Sequence, residues 1–189
     1  MGKELYDNIP SKVEDLLSDV KNGRIGLPDL QRPFVWKDSK VRDLLDSMMK
    51  GYPIGYIMLW ASPDDYENAN HIGKNDKIYK CPESLVIDGQ QRLTALLAAM
   101  YGIAIRDKNY KERQIRISFN PLTREFAVWS QAYARDPEWI SAISDVFAAN
   151  LEYNTSKFRK NYIRVLNEVR IKNGKQELTE DQEDLVEQN

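Results

Sequence analysis

One cysteine and one histidine are all that this 189-residue chain has of two side chains much used for cross-linking, metal binding and proton transfer. Cys81 alone permits no internal disulfide, which fits a reducing compartment. With His71 as the lone imidazole, neither a Cys/His zinc site nor a histidine-rich metal nuclease centre can be assembled from this chain. A Ser-His-Asp hydrolase would have to hang on His71, which lies in a polar stretch with no nucleophile motif nearby; an exposed loop histidine is the expectation. An excess of positive charge is missing too. The 27 Lys and Arg residues face 29 Asp and Glu, for a net charge of −2, so any DNA contact needs a local patch or another chain. The longest clean apolar run, Tyr56–Ala61 (YIMLWA), falls far short of the ~20 residues that span a bilayer. The first residues, MGKELYDNIP, lack the apolar core of a signal peptide, so the expected location is cytoplasmic, with no membrane partner.

What is present is ordinary globular material, 42% hydrophobic and 30% charged, enough for one substantial core with a helical extension. The spacing predicts a helix over Ser11–Asn22, with Ser11 and Glu14 as a capping box and Val13, Leu16, Leu17 and Val20 on one face. A short extended piece, Arg24–Leu27, leads into DLQRPFVW (29–36), too polar and proline-broken for a regular element. Asp38 or Ser39 is placed to cap a second helix bearing Val41, Leu44, Leu45 and Met48 and ending at Gly51. Tyr52-Pro53-Ile54-Gly55 then turns the chain into a strand, Tyr56–Trp60. Residues 62–84 are turn-rich and polar, with a short strand expected at Lys77–Lys80. RQIRISF (113–119) and REFAVWS (124–130) predict a β-hairpin around Asn120-Pro121-Leu122-Thr123. After Asp136-Pro137 the pattern is helical, with a stripe of Phe158, Tyr162, Val165, Leu166 and Val169. Thr179 and Gln182 have capping-box spacing, so another helix starts as the sequence stops, and a longer parent protein is the expectation.

The most informative stretch is LVIDGQQRLTALLAAM (85–100). Asp-Gly after an apolar run signals a hairpin when a strand follows. Here Leu93, Leu96, Leu97 and Met100 follow at helical spacing, supported by Ala95, Ala98 and Ala99, so Asp88-Gly89 is a strand-to-helix turn. A purely structural reading makes Asp88 the N-cap, lets Gln91 close the box and pairs Arg92 with Asp88 four residues back. A second reading is an anion cradle. Arg92 lies near the positive end of the helix dipole, a place where a bound anion would reverse its unfavourable sign. Gly89 removes a side chain where backbone N–H groups are free, and Gln90 points toward the apolar side, where it needs a partner or a crevice. The pattern is neither a Walker A loop nor a G-x-G-x-x-G turn, and by itself names no anion. In the earlier box, Gln31-Arg32-Pro33-Phe34-Val35-Trp36, Phe34 and Trp36 are expected to pin a loop. Arg32, held extended by Pro33, would reach the same anion from an opposite wall.

Together, LPDLQRPFVWKDSKVRDLLDSMMKGYPIGYIMLW and LVIDGQQRLTALLAAMYG resemble the N-terminal domain of GmrSD-type, modification-dependent restriction enzymes, over roughly residues 7–130. The resemblance implies an α+β fold similar to the ParB/sulfiredoxin-like domains, a small mixed sheet packed with helices. It divides the chain into a nucleotide-binding domain, 1–135, and a helical extension, 136–189, that begins a larger helical region. It also implies nucleoside triphosphate binding and hydrolysis with Mg²⁺. The base is left open. The implied catalytic residues are Asp88, Gln91 and Arg92; Gln31, Arg32, Gly89, Gln90 and Arg92 would bind nucleotide, and Asp88 would hold the metal. The implied DNA partner is reached through the full-length protein or a partner nuclease domain, and a homo-oligomer is compatible. Sulfiredoxin's catalytic cysteine has no counterpart, because Cys81 lies outside the box. Two alternatives stay open: a nucleotide-gated switch without turnover, and a DNA-nicking surface built on Lys157, Arg159, Lys160, Arg164, Arg170 and Lys172.

Overall fold

Seven helices form among the described residues, and the fold is mixed α+β, as expected. The structure is a computed structural model that describes residues 6–28, 33–62, 69–70, 82–152 and 154–189. Gln31, Arg32, His71, Cys81 and the strand expected at 77–80 lie outside the described residues.

In chain order, α1 (Val13–Lys21) leads to β1 (Ile25–Pro28), α2 (Asp38–Met49), β2 (Met58–Ala61), β3 (Ala69–Asn70) and β4 (Ser84–Asp88). Then come α3 (Gln90–Tyr101), the short β5 (Ile105–Arg106) and β6 (Glu112–Arg113), and the hairpin of β7 (Ile117–Asn120) and β8 (Glu125–Val128). Helices α4 (Gln131–Arg135), α5 (Ile143–Leu151), α6 (Thr155–Lys172) and α7 (Glu180–Gln188) complete the chain. The main sheet has the order β2-β4-β1-β3. Within it β4 runs parallel to β1 and antiparallel to β2, so β4 sits inside the sheet and delivers Asp88 at its carboxyl end.

Helix α3 is the centre of the molecule. Leu93, Leu96, Leu97 and Met100 are buried as their spacing requires, and Ala95, Ala98 and Ala99 are buried with them. Small alanines let neighbouring helices approach from several sides, and α1, α2 and α5 all pack against α3. On α2, Val41, Leu44 and Leu45 turn inward, and the helix lies between α3 and the β7–β8 hairpin. At the hairpin turn, the buried Asn120 accepts hydrogen bonds from the N–H groups of Leu122 and Thr123. The later helices close on this body: α5 packs on α3 and β7, and α6 on α5 and α7. Leu166 of α6 is fully buried, while Val165 of the expected stripe is 38% exposed, since adjacent positions point about 100° apart. Tyr162 donates its hydroxyl proton to the Glu138 carbonyl, and burial pushes its phenol well above the usual range.

Several expected caps are displaced. Helix α1 starts one residue late for the Ser11–Glu14 box: Lys12 is the N-cap, without a side-chain bond, and Glu14 instead accepts from Asn150. Helix α2 is preceded by Lys37, leaving Asp38 inside the helix with its carboxylate on Arg113 rather than in a cap. The Thr179–Gln182 box forms in full at α7. The strand edges also move: β2 begins at Met58 rather than Tyr56, and β4 extends from Ser84 to Asp88.

Truncating Leu166 to Ala removes a fully buried side chain of the C-terminal helices. The variant is expected to lose about 2–5 kcal/mol of unfolding free energy in a denaturant titration. A loss below about half a kcal/mol would mean that α6 is not packed as described.

Candidate functional site

Leu85 and Val86 hold β4 in the core, whereas Ile87 and Asp88 emerge at its end. The Asp88 side chain is 73% exposed. The chain then turns on one residue. Gly89 has φ +94°, in the left-handed region, and it rather than Asp88 is the N-cap of α3. The expected capping by Asp88 therefore does not form: the left-handed glycine completes the turn, so Asp88 stays in the strand. The left-handed φ is what favours glycine there, and a Cβ at Gly89 would in addition displace the tip of the Ile57 side chain. The space that its missing side chain opens is thus taken up by Ile57.

Arg92 turns back across this corner. Its Nη1 donates to the Ile54 carbonyl at 2.7 Å and its Nη2 to Asp88 Oδ2 at 3.2 Å, with the side chain only 17% exposed. The two contacts differ in weight. A charge-assisted bond to a partly buried carbonyl contributes about 1.5–3 kcal/mol, while an ion pair with so exposed a carboxylate contributes about 0–1 kcal/mol. The carbonyl is the anchor, and the Asp88 contact is easily exchanged. Gly55, with φ +86°, makes the arrangement possible, because a Cβ there would collide with Arg92 Nη1.

Gln91 reaches the other way. Its Oε1 accepts from the Val35 N–H at 3.0 Å and its Nε2 donates to the Pro33 carbonyl at 3.1 Å. The side-chain amide pairs with the backbone as a strand would, tying the first box to the second. It does not close a capping box. Gln90 is 9% exposed, on the core side as expected, and is hydrogen-bonded or otherwise engaged. Gln31 and Arg32 lie outside the described residues, but they directly precede the Pro33 that Gln91 holds.

The far side of the same loop is held by a residue the sequence did not single out. Arg113 donates to Asp38 Oδ1 at 2.6 Å and to the Trp36 carbonyl at 2.7 Å, and its guanidinium lies 5.6 Å from the Phe34 ring centroid. Phe34 itself is buried, at a β-bridge to Asp107, and Trp36 is half-buried. Nothing in RQIRISF marked this role, because the partners are distant in sequence. Beside Arg92, a shallow cleft of about 220 Å³ runs along α2 between Trp36 and the Pro53–Ile54 turn. Among the described residues no group of three or more His, Cys, Asp and Glu could hold a metal by itself, and no helix is long and apolar enough to cross a membrane. The basic residues of α6 are partly matched: Arg159 pairs with Glu187, Arg164 with Glu168 and Arg170 with Glu138.

A mixed α+β domain with a glycine strand-to-helix corner, braced by one amide and one guanidinium, is the class these observations define. The sequence profile of the GmrSD restriction endonuclease N-terminal domain matches residues 13–188, and the chain belongs to that family. The match extends beyond the 7–130 expected and takes in the C-terminal helices. The chain is also similar to an uncharacterized protein of Methanocaldococcus jannaschii, 34% identical in an alignment of 95 residues that covers 46% of this chain and 16% of that protein. The chain thus matches about a sixth of the length of that curated relative.

Two consequences are measurable. Gln91→Ala is expected to speed hydrogen exchange at the Val35 amide and to cost about 1–3 kcal/mol, for two bonds of roughly 0.5–1.5 kcal/mol each; unchanged exchange at Val35 would contradict the clamp. Gly89→Ala is expected to cost about 1–3 kcal/mol, and part of that cost should disappear when Ile57→Ala is added.

Proposed function

We propose that this domain binds a nucleoside triphosphate with Mg²⁺ and hydrolyses it, as the nucleotide-responsive part of a modification-dependent restriction endonuclease. The observation that carries the reading is the corner itself. An exposed carboxylate, a glycine N-cap and an arginine meet at the start of a buried helix, and the first box is clamped alongside by Gln91. The first-turn N–H groups of a helix have no intrahelical acceptors, so they and the dipole favour a phosphate there. The donor set also suits Mg²⁺, which takes one or two carboxylates and completes its shell with water and phosphate oxygens. Asp88 would be that carboxylate; the ion, when bound, neutralises charge on the polyphosphate.

Arg92 would keep its bond to Ile54 and turn its remaining donors from Asp88 to phosphate, which the weak Asp88 contact permits. Arg32 and Gln31, which directly precede the Pro33 that Gln91 holds, are proposed to add phosphate contacts. The backbone N–H groups of the turn that Gly89 makes would be the phosphate donors. Phosphoryl transfer asks for little beyond positioning and charge neutralisation, which these residues would supply. With both ends of the Gln91 amide engaged and Gln90 on the core side, Asp88 is the group left to orient water; we assign Gln91 to positioning the loop.

Membership of a restriction endonuclease family makes DNA the proposed ultimate target, and cleavage would be the work of the remainder of the full-length protein or of a partner nuclease domain. The saturated Gln91 amide also favours a second reading, a switch that holds nucleotide without turnover. The test is phosphate release from GTP, ATP, CTP and UTP by the purified chain with Mg²⁺, beside thermal unfolding. Asp88→Asn and Arg92→Lys are each expected to lower release about 100-fold or more. Nucleotide-dependent stabilisation without release selects the switch, and equal release by wild type and both folded variants sinks the assignment.

A further inference from the structure

The cleft along α2 is where a second part of the ligand can be located, and this inference rests on the triphosphate reading above. We propose that the cleft between α2 and the Pro53–Ile54 turn is the nucleobase subsite, with Trp36 as its stacking wall. Three observations converge on it.

The first is shape. At about 220 Å³ the cleft is below the roughly 300–1,000 Å³ of sites that engulf a drug-sized ligand, so it suits one planar ring rather than a whole nucleotide. The second is lining. Leu44, Pro53 and Ile54 contribute hydrocarbon and Trp36 contributes an aromatic wall. Asp43, whose Oδ1 is paired with Arg42, keeps its second carboxylate oxygen, and Ser47, whose hydroxyl donates to the Asp43 carbonyl, keeps its oxygen lone pairs, as acceptors for the N–H donors of a base edge. A site for a bare anion would have no use for the apolar part, and a site for an apolar ligand would have no use for the rest.

The third is continuity. Arg92 lines the cleft and also holds Asp88, so a molecule with a ring in the cleft and an anionic tail at the α3 corner would span one guanidinium. Trp36 is also prepared for stacking. Arg113 grips its carbonyl, and its ring leans on Phe34 with centroids 6.5 Å apart, so little freedom remains to be lost on binding. Lys40 now lies over the indole with its Nζ 4.3 Å from the centroid. Stacking of a base on an aromatic ring exceeds an exposed ammonium–indole contact, so the base takes that face and displaces the ammonium.

Calorimetric titration of the whole chain with Mg²⁺ and each of GTP, ATP, CTP, UTP and tripolyphosphate tests this. The tightest nucleotide is expected to bind about tenfold more tightly than tripolyphosphate. Trp36→Leu, and Ser47→Phe, which fills the cleft from α2, should each bring that nucleotide down to the tripolyphosphate level while leaving tripolyphosphate affinity unchanged. Should Trp36→Leu fail to fold, Ser47→Phe decides alone. A wild type that binds tripolyphosphate as tightly as every nucleotide overturns the base subsite and leaves the phosphate site standing. Equal loss of both ligands in a folded variant also overturns it. A wild type that binds neither overturns this proposal together with the reading beneath it.

Discussion

Burial of α3 on nearly every side is the constraint from which the rest of the structure follows. Nine of its twelve residues are buried, against α1, α2 and α5, so the helix cannot rotate or slide without opening the core. Its rigidity passes to its first turn. Gly89, Gln90, Gln91 and Arg92 have their directions set by packing several residues away, and the strand that delivers Asp88 is an interior one. A polar corner of this kind keeps its geometry because its foundations are apolar.

The braces on that corner have a shared logic. Gln91 and Arg92 both make backbone partners: the amide takes Val35 and Pro33, and the guanidinium takes the Ile54 carbonyl. Backbone groups of irregular segments must be satisfied somewhere, and here two long side chains from one helix turn satisfy those of two separate loops. The loop holding Phe34 and Trp36 is gripped again by Arg113 from β6. Consequently the two sequence boxes, some fifty residues apart, form one assembly. The Asp88–Arg92 contact is the weakest link in it, being the most exposed, and so it is the one a ligand can displace at small cost.

Legibility varied by element. The β4-to-α3 transition, the full extent of α3, the β7–β8 hairpin and the α7 capping box follow from apolar spacing and turn chemistry in contiguous residues. The arrangement of Arg92 with Asp88 was also legible, being an i,i+4 relation. Caps were less so: Ser11, Asp38 and Asp88 each have the right residue type, but the helices start beside them, because the register of the buried faces outweighs one capping bond. Val165 shows the same competition within α6. Arg113 could not have been found from its neighbours, since Asp38 and Trp36 are more than seventy positions away.

From local chemistry alone came the strand-to-helix corner and the apolar faces, properties of neighbouring residues that repeat at helical or strand spacing, while the α+β class came with the family resemblance carried by the two boxes. The tertiary structure alone decided that Ile57 fills the space beside Gly89 and that Gln91 binds a loop instead of a cap. It also decided that Ile54 anchors Arg92 and that Trp36 borders a cleft reaching the same guanidinium. The physical reason is that side-chain hydrogen bonds and steric fit depend on which segments are brought within a few ångströms, and burial of the core selects those neighbours only when the whole chain has packed.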